Sequence, residues 1–355
     1  MTSIQLFYYF FFYIRFIIKP KNEHQEHFQE PISVIIAAHN ESENLQAYLP
    51  LILRQKYSKF EVIVINDRSE DDTEDVLEAL KKQHSHLRTT FIKNTGKIDH
   101  GKKLAITLGI KAAQYDYVLL TDADCYPKTD YWIETMAQGF TKADIVLGYG
   151  PYSPEKSFLN RWIRFDTLNI AMQYISMAKT GLTYMGVGRN LAYKKSLFIE
   201  NKGLASHAHL PSGDDDLFIN EISKNHQASV VLDEASFMYS KPESTFKFWF
   251  RQKERHLSTF NLYRSRHQAL LFCEIWSREM FWVLFLFLIP LYYNNLIFIG
   301  LAGFKLVSQI LIMLLSAKKV NEKDLWYLAN VLDFLTPILN FFLYLDYLKT
   351  QNRKW

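Results

Sequence analysis

Tyr117-Val118-Leu119-Leu120-Thr121-Asp122-Ala123-Asp124 runs from a short apolar stretch into two carboxylates one residue apart. In an extended segment, side chains at i and i+2 point to the same side. Asp122 and Asp124 therefore aim at one point just past the carboxyl end of a strand, where open α/β sheets bind their ligands. Paired carboxylates are hard ligands suited to Mg²⁺ or Mn²⁺, ions that share their shell with substrate phosphates. The plainer reading is a solvated turn, since Asp favours turns and the same spacing recurs at Asp214 and Asp216. The surrounding pattern decides between the two.

On both sides of this stretch, strand and helix patterns alternate. Ile32-Ser33-Val34-Ile35-Ile36-Ala37 is a short β-branched apolar run, as a buried parallel strand requires. Residues 60–65 predict a second strand, 89–92 a weaker third, 117–120 the fourth and 145–147 the fifth. Helices are expected over 43–55, 72–82, 102–113 and 131–140. Pro50 should kink or interrupt the first of these. The second carries acids in its first turn and lysines in its last, matching the helix dipole. Repeated β-α units of this kind predict an α/β domain with a mostly parallel sheet and helices on both faces.

Composition bounds the rest. A chain of 355 residues has room for about two domains. The net charge of +4 is small and gives no reason to expect a nucleic acid partner. Cys125 and Cys273, far apart in sequence, have no metal-ligand spacing and suggest no disulfide framework, which fits a reducing compartment. Residues 281–348 are largely Phe, Leu, Ile and Tyr. Basic residues cluster beside apolar segments, over 247–278 and at Lys318-Lys319, as on the cytoplasmic side of a membrane.

Residues 4–18 are apolar but short for a span of about 20 residues. They carry Arg15, and no small-residue cleavage site follows, so an uncleaved anchor or an interfacial helix is expected. Segments 281–293, 296–317 and 325–348 make two or three membrane segments, with Asn294-Asn295 as the turn between the first two. The third contains Asp333, Pro337 and Asn340. A single crossing there would put Lys349, Arg353 and Lys354 outside, against the positive-inside tendency, and a broken or re-entrant segment would resolve the conflict. The expected organisation is an N-terminal anchor or interfacial helix over 1–20, a catalytic domain over 30–270 and membrane segments over 279–348.

In a parallel sheet, three loops converge where the first, second and fourth strands end. They are Ala37-Ala38-His39-Asn40-Glu41, Asn66-Asp67-Arg68-Ser69 and Thr121-Asp122-Ala123-Asp124. The small Ala37 and Ala38 let a ligand approach the backbone. Asn40, Glu41 and Asp67 suit hydrogen bonds to a base and ribose, although Asp67 to Ser69 also read as a helix cap. Gly101-Lys102-Lys103 opens a helix where N–H groups and a lysine can meet a phosphate.

In this order, these motifs resemble the family 2 glycosyltransferases. Residues 32–41 resemble the opening of their nucleotide-sugar domain, which has the GT-A fold. Asn66-Asp67-Arg68-Ser69 resembles their Asp-Asp-x-Ser loop, with Asn66 in place of the first Asp. Residues 101–109 resemble their glycine–lysine helix start, and Asp122-Ala123-Asp124 their metal-binding Asp-x-Asp. Ser212-Gly213-Asp214-Asp215-Asp216-Leu217 is similar to the acidic motif that supplies the general base. Gln252-Lys253-Glu254-Arg255-His256 is similar to the Gln-x-x-Arg-Trp motif of membrane-embedded hyaluronan, cellulose and poly-N-acetylglucosamine synthases, with His256 replacing the Trp. That departure bears on processivity more than on sugar-nucleotide binding.

The resemblance implies roles that the residues themselves allow. Transfer of a sugar to a hydroxyl needs a base within reach of that hydroxyl, and Asp215 matches the family's second acidic position. On a helix, Gln252, Arg255 and His256 share one face at i, i+3 and i+4, so Arg255 can grip a diphosphate while the other two line the acceptor side. The same helix also reads as a basic amphipathic segment lying on a membrane surface. Gly186-Val187-Gly188-Arg189-Asn190 either shapes the acceptor site or forms a plain turn. His207 and His209 read as solvated or acceptor-lining residues rather than a metal pair.

The expectation is a membrane-bound, inverting, metal-dependent glycosyltransferase whose catalytic domain faces the cytoplasm at the cell (inner) membrane. Its donor is a nucleoside diphosphate sugar, by resemblance a UDP-sugar. Its acceptor is a saccharide or a lipid-linked hydroxyl. Asp215 is the catalytic base, and Asp122 and Asp124 hold Mg²⁺ or Mn²⁺. Ala38, Asn40, Glu41, Asp67, Lys102, Asp122, Asp214, Gln252, Arg255 and His256 contact substrate, and membrane lipids are the other partners. Two rivals stand beside this reading: a transferase loading one sugar onto a polyprenyl phosphate, and a non-catalytic membrane subunit that binds nucleotide sugar.

Overall fold

In the computed structural model, which describes residues 1–18, 27–92, 101–210 and 212–351, the chain forms two compact units. One comprises Asn22–Ser153 and Thr183–Lys241, the other Met1–Lys21, Pro154–Leu182 and Pro242–Trp355. The first is built on strands β1 (Ile32–Ala38), β2 (Phe60–Asp67), β3 (Leu87–Ile92), β4 (Tyr117–Asp122), β5 (Cys125–Pro127), β6 (Ile145–Leu147), β7 (Leu191–Lys194), β8 (Ala228–Val230) and β9 (Met238–Ser240). Seven of them form one sheet in the order β3-β2-β1-β4-β7-β6-β8, and β5 and β9 make a separate pair.

The β-branched runs are buried on both faces, as a central parallel strand requires. Ile32, Val34, Ile35 and Ile36 of β1 and Val62 to Ile65 of β2 are all essentially inaccessible. Both pair parallel to their neighbours, Ala38 opposite Asn66 and Ala37 opposite Asp122. The helix Gly101–Ala112 lies against these two strands. It comes so close that a Cβ on Gly109 would sit 2.5 Å from Ile65 Cδ1 and 2.6 Å from Ile35 Cγ2.

The sheet departs from strict β-α repetition past β4. The next strand in sequence to join the sheet, β6, does not lie beside β4; β7 comes between and runs antiparallel to both. The expected helix break at Pro50 is also absent, since the helix Ser42–Leu53 runs through it. Pro50 stands in the last turn, where its missing N–H removes one bond, and Arg54 N still closes on Pro50 O at 3.2 Å.

The second unit is helical. Its N-terminal segment is helical from Thr2 to Ile17, with a π-helical turn over Tyr8–Tyr13. Gln5 donates to Glu274 O at 3.0 Å and Ser277 Oγ at 2.8 Å, and Tyr8 donates to Leu270 O at 2.7 Å, which ties this segment to the helix Ser265–Tyr292. Residues 281–292 of the expected segment form the second half of that helix. Asn295 caps the next, Leu296–Lys319, by accepting from the N–H groups of Ile297 and Phe298 at 3.0 Å. Two helical stretches, Leu296–Lys319 and Trp326–Leu343, are long and apolar enough to cross a membrane, with mean hydropathy 2.1 and 1.3.

The polarity of this unit is turned inward. Leu296, Ile297, Phe287 and Leu291 are exposed, while Lys305, Gln309, Ser316, Glu274 and Asp333 are buried. Asp333 accepts from Trp282 Nε1 at 2.7 Å and faces Lys305 Nζ at 3.5 Å. Arg164, on the helix Phe158–Ala178, is buried and forks onto Glu322 and Asp324 in the connection between the last two helices.

Candidate active site

The β1, β2 and β4 carboxyl ends lie side by side because those strands are parallel and in register. The first two loops brace each other. Asn40 and Arg68 both take left-handed backbone, at φ 56° and 55°. Asn40 N–H donates to Ser69 Oγ at 2.9 Å, and Asn40 Oδ1 accepts from Glu70 N at 2.8 Å. Glu41 N–H donates to Thr73 Oγ1 at 2.9 Å, and Ser69 N–H to Asn66 Oδ1 at 3.2 Å. The Asn40 carbonyl is thus engaged in shaping the loop. Asn66, standing in for an acid, does the same from a buried position. Asp67 is buried and accepts from Arg68 Nε at 2.9 Å, and Ala38 is buried at the end of β1.

Asp122 ends β4, and Asp124 follows one residue later, directly before β5. Asp122, Asp124 and Cys125 each offer a ligand atom within 4.8 Å of the others. Burial and the charge of Asp122 raise the pKa of Asp124, while Arg189, the Cys125 thiol and Lys102 work the other way. Glu41 is also raised, by burial and by Asp124, Asp122 and Asp71, against the hydrogen bond it accepts from Asn44. Crowded carboxylates of this kind are what a divalent cation relieves. Cys125 is a poor third ligand for a hard ion: burial pushes its thiol up, and it donates to Asp124 Oδ1 at 3.3 Å. The donor set is therefore two carboxylates with phosphate to complete the shell, which suits Mg²⁺ or Mn²⁺.

Lys102 joins the two acidic motifs. At the start of the helix Gly101–Ala112, its Nζ lies 2.7 Å from Asp122 Oδ1 and 3.6 Å from Asp214 Oδ2. Burial of the ammonium opposes its charge, but Asp122 and Asp214 outweigh that and hold its pKa above the ordinary range.

Asp215 stands just before the helix Asp216–Ile222 and caps it. Its Oδ1 accepts from Asp216 N at 2.7 Å and its Oδ2 from Gly188 N at 2.7 Å. Burial, then Asp214 and Asp216, raise its pKa to about 7, although Lys102 and the Gly188 N–H pull it down. A carboxylate poised there can take a proton near neutrality. Asp216 is buried within its helix start.

Gly188-Arg189-Asn190 proves to be more than a turn. Gly188 holds the Asp215 carboxylate. Asn190 is wholly buried; it accepts from Trp132 Nε1 at 2.9 Å and donates to Tyr149 O at 2.9 Å and Ser236 O at 2.7 Å. Between them, the Arg189 guanidinium stacks over Tyr152 at 4.2 Å from the ring centre. Spacing gave no sign of this, because the link to Asp122 and Asp215 depends on β7 running antiparallel beside β4. Of the two expected alternatives for His207, solvated does not hold: it is buried, with Lys103 Nζ donating to its carbonyl at 2.5 Å, while His209 is exposed.

Gln252 and Arg255 lie on the helix Phe246–Leu257 of the helical unit, Gln252 half-buried and Arg255 exposed. The side chain of His256 lies outside the described residues. Trp249 on the same helix is buried, and Lys253 holds Asp166 at 2.8 Å.

Residues 33–201 match the family model described as Glycosyl transferase family 2. The poly-beta-1,6-N-acetyl-D-glucosamine synthase of Staphylococcus aureus (strain COL) is 34% identical over 132 residues, 36% of this chain and 31% of that protein. Its namesake from Staphylococcus epidermidis is 38% identical over 104 residues, 29% of this chain and 24% of the relative. The chain thus spans a third or less of the length of these curated relatives. Among solved structures, the mannosyltransferase PcManGT from Pyrobaculum calidifontis, in complex with GDP-Man and Mn²⁺, superposes with TM-score 0.60 at 18% identity, covering 95% of each chain. The architecture is the GT-A fold.

Proposed function

With a family 2 glycosyltransferase domain over residues 33–201 as premise, we propose that this protein transfers a sugar from a nucleoside diphosphate sugar, a UDP-sugar, to a hydroxyl of a saccharide or lipid-linked acceptor, with inversion at the anomeric carbon. The observation that carries the reading is the joining of the two acidic motifs around Lys102, 2.7 Å from Asp122 and 3.6 Å from Asp214. It brings a cation-binding pair and a proton acceptor to one end of one sheet.

Asp122 and Asp124 would hold Mg²⁺ or Mn²⁺, which would supply Lewis-acid stabilisation of charge on the diphosphate. Ala38, Glu41 and Asp67 bind the nucleoside, and Asn40 shapes their loop. Asp215 removes the acceptor proton as the hydroxyl attacks the face opposite the diphosphate. Its two backbone N–H bonds fix the carboxylate while each oxygen keeps a lone pair for the acceptor. Asp214 and Lys102 set the charge around that base. A polyprenyl phosphate acceptor is already anionic and needs no base, so the raised pKa of Asp215 favours a hydroxyl.

We assign the helical unit to the membrane, with the catalytic domain on the cytoplasmic side. Support comes from its inverted polarity: apolar side chains outward and Lys305, Glu274 and Asp333 inward, as helices in lipid require. The test of the site is Mn²⁺ binding followed by electron paramagnetic resonance with UDP present. Asp124→Ala should abolish nucleotide-dependent Mn²⁺ uptake. Uptake unchanged in that variant would leave the proposed ion site idle and defeat the reading.

A further inference from the structure

We propose that Arg189 binds the donor's diphosphate, gripping the phosphate that leaves the sugar, an assignment that rests on the reading of this domain as a nucleotide-sugar site. The first support is register. β7 pairs antiparallel with β4, Leu191 opposite Leu120 and Ala192 opposite Leu119. Before these pairs the chain runs through the 3₁₀ turn Gly188–Asn190, which packs against β4 and so carries Arg189 near the strand end where the carboxylate pair begins. A guanidinium is thereby delivered to the ion-binding pair from a strand that enters from the opposite direction.

The second support is how this cation is used. Lys102 is engaged by Asp122 and Asp214. Arg189 forms no ion pair among the described residues. It is held by the Tyr152 ring, 4.2 Å from its guanidinium carbon, and by one hydrogen bond from Nη1 to Ser240 Oγ at 3.1 Å. A guanidinium has five N–H donors, so the stack and the single bond fix its plane and leave donors for a ligand.

The neighbours make a purely structural role for Arg189 redundant. Asn190 already anchors the segment through three buried hydrogen bonds, and Gly188 already holds Asp215. What remains is a half-buried, fixed, positively charged fork whose charge Asp124 and Asp122 favour. A diphosphate carried on an ion at those aspartates is the anion that such a fork matches bidentately. Charge builds on the phosphate that departs from the sugar, so the contact gains strength as the bond breaks.

The experiment compares full-length wild type, Arg189→Ala and Arg189→Lys in detergent with Mn²⁺, measuring dissociation constants for UDP and UMP by calorimetry. Arg189→Ala should weaken UDP binding about tenfold or more and UMP binding less than about twofold, with Arg189→Lys between wild type and Ala. In turnover, kcat should fall more than the acceptor KM rises. Equal weakening of UDP and UMP, or of neither, overturns the proposal, because a loop-shaping role moves both together. Should Arg189→Ala fail to fold, as read by its melting curve, the Lys variant carries the same UDP-to-UMP comparison alone. If wild type binds neither UDP nor GDP with Mn²⁺, the parent reading falls and this assignment falls with it. That failure appears in wild type, whereas failure of the Arg189 assignment appears only in the variants.

Discussion

Replacing Asp215 by Asn removes a proton acceptor while keeping the size of the side chain. The structure sets the expected magnitude. With a carboxyl pKa of about 7, about nine-tenths of the protein holds the base form at pH 8 and about one-tenth at pH 6, so wild-type kcat/KM should fall about tenfold across that interval. The sign follows from the direction of the shift. Burial, with Asp214 and Asp216, favours the protonated form in the folded protein. The stability so gained is full below the ordinary carboxyl pKa and is lost as pH rises through about 7, while activity rises over the same range. Asp215→Asn should lower kcat by about 10² to 10⁴, the usual worth of a general base. Its remaining rate should show no acidic limb near pH 7. Donor binding should stay within about threefold, since Asp215 touches Gly188 and Asp216 rather than the ion pair. The assay is nucleoside diphosphate release against pH, with UDP affinity measured alongside. A variant that turns over within tenfold of wild type, with its acidic limb intact, would refute the base assignment.

Further outcomes follow from the same geometry. Lys102→Ala removes a cation that holds the Asp215 pKa down, so the acidic limb of the rate profile should move to higher pH; a limb that stays in place contradicts the coupling. Asn190→Leu strands Trp132 Nε1 and the Tyr149 and Ser236 carbonyls. It should cost about 3 kcal/mol or more, read as a fall in the melting temperature of the sheet-bearing unit. Arg164→Met leaves the buried Glu322 without its guanidinium and should destabilise the helical unit by about 3–5 kcal/mol, read by thermal unfolding in detergent. Gly109→Ala, whose Cβ would meet Ile65 at 2.5 Å, should cost about 1–3 kcal/mol through displacement of its helix from the sheet.

The parts of the fold that local physics dictates were legible in the chain. β1 and β2 are β-branched runs and β4 an apolar one, all ending in polar loops, and their parallel pairing follows from the helices between them. The long helices over 265–292, 296–319 and 329–351 take in most of the predicted apolar segments, although the first begins well before its apolar half and the third starts after the 3₁₀ turn Trp326–Leu328. Pairings between distant segments were not legible. β5, β7 and β9 have three or four residues each, too few to carry a period, and their partners lie far away in sequence. The antiparallel entry of β7 is therefore invisible locally, and with it the positions of Gly188, Arg189 and Asn190. Asp122, Asp124 and Asp215 stood out as candidates because each belongs to an acidic motif at a strand or helix end, in order along the chain with the other strand-end loops. The burial of His207 was not, since nothing in its neighbours marks it as covered.

Two properties are central: the protein turns over a sugar nucleotide in the proposed reaction, and the Asp122/Asp124 pair serves that reaction. Both are tested by incubating membranes carrying the full-length chain with a panel of sugar nucleotides and an acceptor, with Mn²⁺, Mg²⁺ or EDTA, and measuring nucleoside diphosphate release. Release from one donor, dependent on the divalent ion and lost in Asp124→Ala, is the predicted result. Release that persists in EDTA and in Asp124→Ala would contradict the ion site, and no release from any donor would contradict the transferase itself.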